Sequence, residues 1–96
     1  MNQQKEIEEE FVQLCKALGH ETRFAIIRLL LERKKFCGDL VQELNLPQST
    51  VSHHLKILKN SGLVVAEEQG TWVCYEVDLK RMEEMKFFLE QMMVFG

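Results

Sequence analysis

Apolar positions recur along most of this chain at helical spacing. Ile7, Phe11, Leu14 and Leu18 fall four, three and four apart, which predicts a helix over 5–18 with a coiled-coil-like stripe. Gly19 follows as its stop. Over 21–33 the pattern changes. Phe24, Ala25, Ile26, Ile27, Leu29, Leu30 and Leu31 are apolar nearly all round, the mark of a central, buried helix. Arg33, Lys34 and Lys35 come next, and their charges suit the negative end of that helix. Leu40 and Leu44 share one face of a short helix over 38–45. Asn45-Leu46-Pro47 breaks it, and Pro47 suits the first turn of a further helix, where a missing N–H costs nothing. That helix runs to about residue 60, where Gly62 supplies a left-handed stop. Two β-prone runs, 63–66 and 71–77, then flank Glu67-Glu68-Gln69-Gly70, a hairpin signal. The last helix runs from 79 to about 93, with Met82, Met85, Leu89 and Met92 as its stripe. Phe87, Phe88, Val94 and Phe95 add apolar surface outside that stripe. The expected fold is mainly α with one β-hairpin, in the order α-α-α-α-β-β-α.

Length and composition narrow this picture. Ninety-six residues without repeats or flexible linkers read as one domain over 1–96. Such a chain buries roughly two-thirds of its unfolded surface, enough for a modest core. The opening, MNQQKEIEEE, lacks the basic and apolar regions of a secretory signal. The longest apolar run, 24–31, is interrupted by Arg28 and is too short to span a bilayer. Three cysteines, an odd number, argue against a disulfide scaffold. A cytoplasmic location with no membrane partner is therefore expected. The net charge of −3 argues against nucleic acid when taken whole. Its distribution reverses that inference. Residues 1–10 carry −3, residues 11–60 carry +4 and residues 61–96 carry −4. A basic middle between acidic ends fits one face that meets phosphate and another that does something else.

The chemistry concentrates in 38–60, GDLVQELNLPQSTVSHHLKILKN. A short helix, a tight break and a second helix form a helix-turn-helix candidate. In the second helix Val51, Leu55 and Leu58 face the core, and His54 borders it. Ser49, Ser52, His53, Lys56 and Asn60 lie opposite, with no carboxylate among them. Short hydrogen-bonding side chains can meet base edges in a major groove, and lysine can meet phosphate. Gln48, Ser49 and Thr50 stand at the helix start, whose free N–H groups favour a phosphate. Gln48, Ser49, Thr50, Ser52, His53 and Lys56 are thus the candidate DNA-binding residues. The plain alternative is a polar face that meets only solvent.

Two further stretches make the pattern recognisable. LPQSTVSHHLKILKNSGLV followed by EEQGTWVCYEV, with ALGHETRFAIIRLL upstream, resembles the ArsR/SmtB family of small winged-helix repressors. The resemblance covers about residues 14–79. It implies a winged helix-turn-helix that dimerises through its first and last helices, with the hairpin as the wing. It implies a bacterial or archaeal homodimeric repressor on an inverted-repeat operator in double-stranded DNA, released by an effector, often a metal ion or metalloid. The apolar stripes support the dimer independently. Ile7, Phe11, Leu14 and Leu18, with Met82, Met85, Leu89 and Met92, exceed what so small a core needs, and are the candidate interface. The alternative is that both stripes pack on the second helix of the same chain.

The sequence departs from the family's sensors. Where a Cys-x-Cys pair would precede Asp39-Leu40, Phe36 and Gly38 flank a single Cys37. Residues 78–96 hold no histidine, so a zinc-type site on the last helix is not expected. The wing carries Glu67 and Glu68 where the family usually has basic residues. Cys37, near a helix start and two lysines, is the foremost candidate effector thiol, followed by Cys15 and Cys74. No cofactor is required, and a soft metal or arsenite held by these thiols, or a redox signal read by them, is the open alternative. Two other functions compete with an effector-released repressor: a winged-helix module for protein interaction, and an effector-independent regulator with an acidic wing. An enzyme is not expected, because the chain has no phosphate loop, catalytic dyad or metal box.

Overall fold

The computed structural model describes residues 3–96. Five helices and three short strands follow in the order α1 (Gln3–Leu18), α2 (Glu21–Glu32), β1 (Lys35–Phe36), α3 (Cys37–Leu44), α4 (Gln48–Ser61), β2 (Val64–Gln69), β3 (Trp72–Val77) and α5 (Leu79–Phe95). The boundaries have local causes. The α1 helix closes at Gly19, whose N–H reaches the Cys15 carbonyl at 2.9 Å. His20 caps α2 by accepting the Thr22 N–H on Nδ1 at 3.1 Å. Asp39 accepts the Phe36 N–H at 2.9 Å and fixes the start of α3. Asn45 ends α3 in the left-handed conformation, at φ 54°.

Pro47 stands one position earlier than its sequence suggests. Its extended backbone (φ −60°, ψ 148°) makes it the N-cap of α4, and its carbonyl accepts from Thr50 and Val51, each at 3.1 Å. Gly62, at φ 90°, turns the chain out of α4. Asp78 caps α5 by accepting from the Lys80 and Arg81 amides at 3.1 and 3.3 Å.

The core lies between the helix-turn-helix and its scaffold. Ile26 of α2, Leu40 of α3, Val51 and Leu58 of α4, and Leu63 are fully buried, and each such side chain contributes about 1.5–3 kcal/mol of transfer free energy. Leu14 and Ala17 bring α1 onto this core, and Met85 brings α5.

Four expectations need correction. First, the sheet has three antiparallel strands in the order β1-β3-β2, not two. Lys35 pairs with Tyr75 and Phe36 with Cys74, so β3 is central. A two-residue strand carries no period, which is why sequence patterning passes over it. Second, Lys35 does not close α2. It is buried in β1, and its Nζ bonds both carboxylate oxygens of Glu43 at 3.1 Å and lies 3.6 Å from Glu32. Third, α2 is not buried all round, since Phe24 and Leu31 are about half exposed. Fourth, the hairpin turns at Gly70-Thr71 rather than across 67–70. Gln69 pairs with Trp72, and Gly70, at φ 66°, takes the first central position, where a two-residue turn of type II′ needs glycine. Glu67 and Glu68 therefore sit on the β2 strand, before the tip.

Candidate nucleic-acid interface

Helix α4 divides cleanly. Val51, His54, Leu55 and Leu58 are buried against the core. Gln48, Ser49, Ser52, His53 and Lys56 are exposed on the other side, and Thr50 is half-buried at the helix start. No acidic residue stands in its first turn, so the partial positive charge of the helix N-terminus is left uncompensated. Lys59 and Asn60 continue the exposed face toward the C-terminus. The surface thus offers hydroxyl, amide and imidazole groups flanked by lysine, the donor and acceptor set a major groove can use. The preceding helix reaches this face where Cys37 Sγ lies 3.7 Å from Ser52 Oγ.

The buried side of α4 is held by a group the sequence pattern does not single out. Arg23 of α2 brings Nη1 to 3.2 Å from His54 Nδ1, while its Nε donates to the Ala17 carbonyl at 2.6 Å. The His54 ring lies 4.7 Å from that of His20 and 5.4 Å from that of His53. Burial, then the neighbouring His20, Arg23 and His53, holds His54 below the ordinary histidine range. Arg23 stands in the polar first turn of α2, before the apolar run, so no local pattern marks it.

The hairpin beside α4 is acidic and polar on its outer half. Glu67, Glu68 and Gln69 are exposed, and Gln69 Nε2 donates to Glu67 Oε1 at 3.2 Å. Trp72, 65% exposed, leans on Phe36 with ring centroids 5.7 Å apart. The wing presents an aromatic and carboxylates, not cations.

The candidate interface residues divide between two environments. Leu14 and Met85 are buried in the chain's own core, and Phe11, Leu18 and Met82 pack half-buried against it. Ile7, Leu89 and Met92 are about half exposed, and Phe95 is 80% exposed. Phe11 stacks on Phe88 at 4.4 Å, which joins α1 to α5. Beside that stack an open groove of about 890 Å³ is lined by Ile7, Phe87, Met92 and Phe95.

The three thiols lie on three different elements. Cys15 is half-buried on α1, Cys37 opens α3, and Cys74 is buried in β3. Burial raises the Cys15 thiol above its usual range, which lowers its thiolate fraction. The Lys35 ammonium is turned to Glu43 and Glu32. Among the described residues no group of three or more His, Cys, Asp or Glu side chains could hold a metal ion. The donor set of one chain does not fit a resident soft metal. Among these residues no helix is long and apolar enough to cross a membrane.

Comparison with known proteins agrees with this geometry. Residues 20–65 match the model for "Bacterial regulatory protein, arsR family". An uncharacterized HTH-type transcriptional regulator of Methanocaldococcus jannaschii is 41% identical over 78 residues, covering 80% of this chain and 88% of that protein. The arsenical resistance operon repressor of Escherichia coli K12 is 42% identical over 67 residues, covering 69% of this chain but 57% of that repressor, little more than half its length. The solution structure of a homodimeric winged helix-turn-helix DNA-binding domain from Mycobacterium bovis shares the fold, with a TM-score of 0.78 at 21% identity over 100% of this chain and 93% of that one. With a helix-turn-helix whose second helix turns a carboxylate-free polar face outward, and a regulator 41% identical over most of its length, this chain belongs to the ArsR family of winged-helix, DNA-binding transcriptional regulators and is not an enzyme.

Proposed function

We propose that the chain acts as a homodimeric repressor that sets two copies of α4 into successive major grooves of an inverted-repeat operator. The exposed face of Gln48, Ser49, Ser52, His53 and Lys56, opposite a buried Val51-Leu55-Leu58 face, carries the reading. In it, Ser52 and His53 meet base edges, Lys56 meets phosphate, and the α4 N-terminus with Gln48, Ser49 and Thr50 enters first. The dimer forms through α1 and α5, whose exposed Ile7, Met92 and Phe95 line an apolar groove, with Leu89 exposed on the same helix as Met92 and Phe95. A patch of this kind marks an association surface, and the mycobacterial domain of the same fold is homodimeric. Two-fold symmetry then sets the half-sites about one DNA turn apart.

Duplexes enriched by the wild-type protein from a random-sequence pool test this reading. An enriched two-fold repeat with half-sites about 10 base pairs apart is expected. Enrichment of a single unrepeated site, or of nothing at low salt, would reject it.

Release by an effector completes the proposal. The repressor from E. coli is named for arsenical resistance, but the thiols of one chain here are spread over three elements. Melting and duplex release, measured with arsenite, Cd²⁺, Zn²⁺ and an oxidant, separate the cases. A response lost in a variant lacking Cys15, Cys37 and Cys74 assigns it to thiols gathered across two chains. A response kept in that variant removes thiol sensing. No response in the wild type favours an effector-independent regulator.

A further inference from the structure

The Arg23 guanidinium joins three helices. Its Nε donates to the Ala17 carbonyl at 2.6 Å and its Nη2 to the Lys16 carbonyl at 3.4 Å, both in the last turns of α1. Its Nη1 lies 3.2 Å from His54 Nδ1, in the middle of α4. A guanidinium has donors only, so His54 Nδ1 accepts. The ring is therefore neutral, with its proton on Nε2. His54 is 8% exposed, and the next residue outward is His53, on the groove-facing side. One side chain of α2 thus fixes the end of α1 to the helix that bears the DNA face.

We propose that Arg23 and His54 are positioning residues for DNA recognition: their hydrogen bond sets the angle of α4 to α1 and, through α1, the separation of the two recognition helices in a dimer. This rests on the reading of α4 as the groove-facing helix and of α1 as part of the dimer face. The bond survives only while His54 is neutral. Protonation at Nδ1 replaces an acceptor with a donor and sets two cations about 3 Å apart, where no hydrogen bond remains and like charges repel. The surroundings offer the new charge no relief. From α2 and its cap come Arg23 and His20, and from α4 itself comes His53. From α1 come the carbonyls that already hold Arg23. Among the described residues no carboxylate pairs with any of these groups. The His20 ring, whose Nδ1 caps α2, lies 4.7 Å from that of His54 and leaves no room for an acidic partner on that side. The bond is closed while His54 is neutral and opens once acid protonates it.

The test uses three probes: a duplex enriched by the wild-type protein, the same half-sites set further apart by inserted base pairs, and an unrelated duplex of equal length. Affinities are read by fluorescence anisotropy at about pH 7.5 and about pH 5.5, either side of the histidine range. Preference for the enriched duplex over its spacer variant is the readout, because His53 faces the same half-sites in both. The wild type is expected to lose that preference severalfold in acid, because a protonated His54 no longer accepts from Arg23. His54→Gln, whose amide oxygen accepts from Arg23 without titrating, should hold its preference at both pH values. Arg23→Ala and His54→Leu should have low preference at both, with affinity for the unrelated duplex unchanged and a cooperative melt retained. An acid loss in His54→Gln equal to that of the wild type overturns the proposal. So does wild-type preference in Arg23→Ala. If neither variant folds, a wild type whose preference is flat with pH overturns it. If the wild type binds no duplex, the DNA reading itself falls and takes the proposal with it.

Discussion

At the scale of single residues, the interior of this protein holds two ionisable side chains with different supports, Lys35 and His54. The Lys35 ammonium, nearly inaccessible, is held bidentately by the half-exposed Glu43, with Glu32 at 3.6 Å in solvent. Removing the closer partner strands a buried charge, whereas removing the exposed one leaves the stronger pair intact. Glu43→Ala should therefore cost about 1–3 kcal/mol, below the full buried-pair range because Glu43 keeps some solvent, and Glu32→Ala under about 1 kcal/mol. Urea denaturation of the two variants checks the order, and equal losses would contradict it. His54 gives a pH dependence whose sign is fixed. Its folded-state pKa is depressed, so below the unfolded value of about 6.5 the unfolded chain binds more protons than the native one. Stability is full above that value and falls as pH drops through the folded pKa. Denaturation midpoints taken across that window should decline in the wild type and decline less in His54→Gln.

At the scale of elements, periodicity made the helices legible, and glycines made the ends of α1 and α4 so. The α1 and α5 stripes, the α4 faces and the stop at Gly62 follow from the order of side chains. What stayed hidden was set by pairing across the chain. The two residues of β1 are a strand only because β3 lies beside them. The all-round apolar pattern of α2 overstated its burial, because Phe24 and Leu31 point away from the core. The outward face of α4 was readable because apolar residues on one side leave the other to solvent. The Arg23–His54 contact spans thirty-one positions, and no local pattern encodes it. The caps allow a direct test. Gly62 at φ 90° admits no L side chain without strain, so Gly62→Ala should destabilise by about 1–2 kcal/mol. Asp78→Ala, which frees two amides at the start of α5, should cost about 1 kcal/mol. Both are read by thermal or chemical denaturation, and a neutral Gly62→Ala would contradict the left-handed cap.

At the scale of the whole molecule, the net positive charge and the apolar surface of α1 and α5 lie on different parts of the chain. The basic middle contains the helix-turn-helix, and the acidic ends carry the exposed apolar side chains of α1 and α5. Met92 and Phe95 are exposed in the single chain, so charging them should spare the fold and break the pair. A Met92→Glu, Phe95→Glu variant should sediment as a monomer with an unchanged far-ultraviolet spectrum and bind an enriched duplex at least tenfold more weakly, since one half-site then acts alone. A variant that stays dimeric would move the interface elsewhere.

The central claim is that the outer face of α4 reads DNA, and the most direct measurement is duplex affinity of Ser52→Ala and His53→Ala as a function of salt. Each should weaken binding to the enriched duplex by about 1–3 kcal/mol while leaving affinity for unrelated DNA nearly unchanged. Wild-type affinity for the enriched duplex in both variants would contradict it.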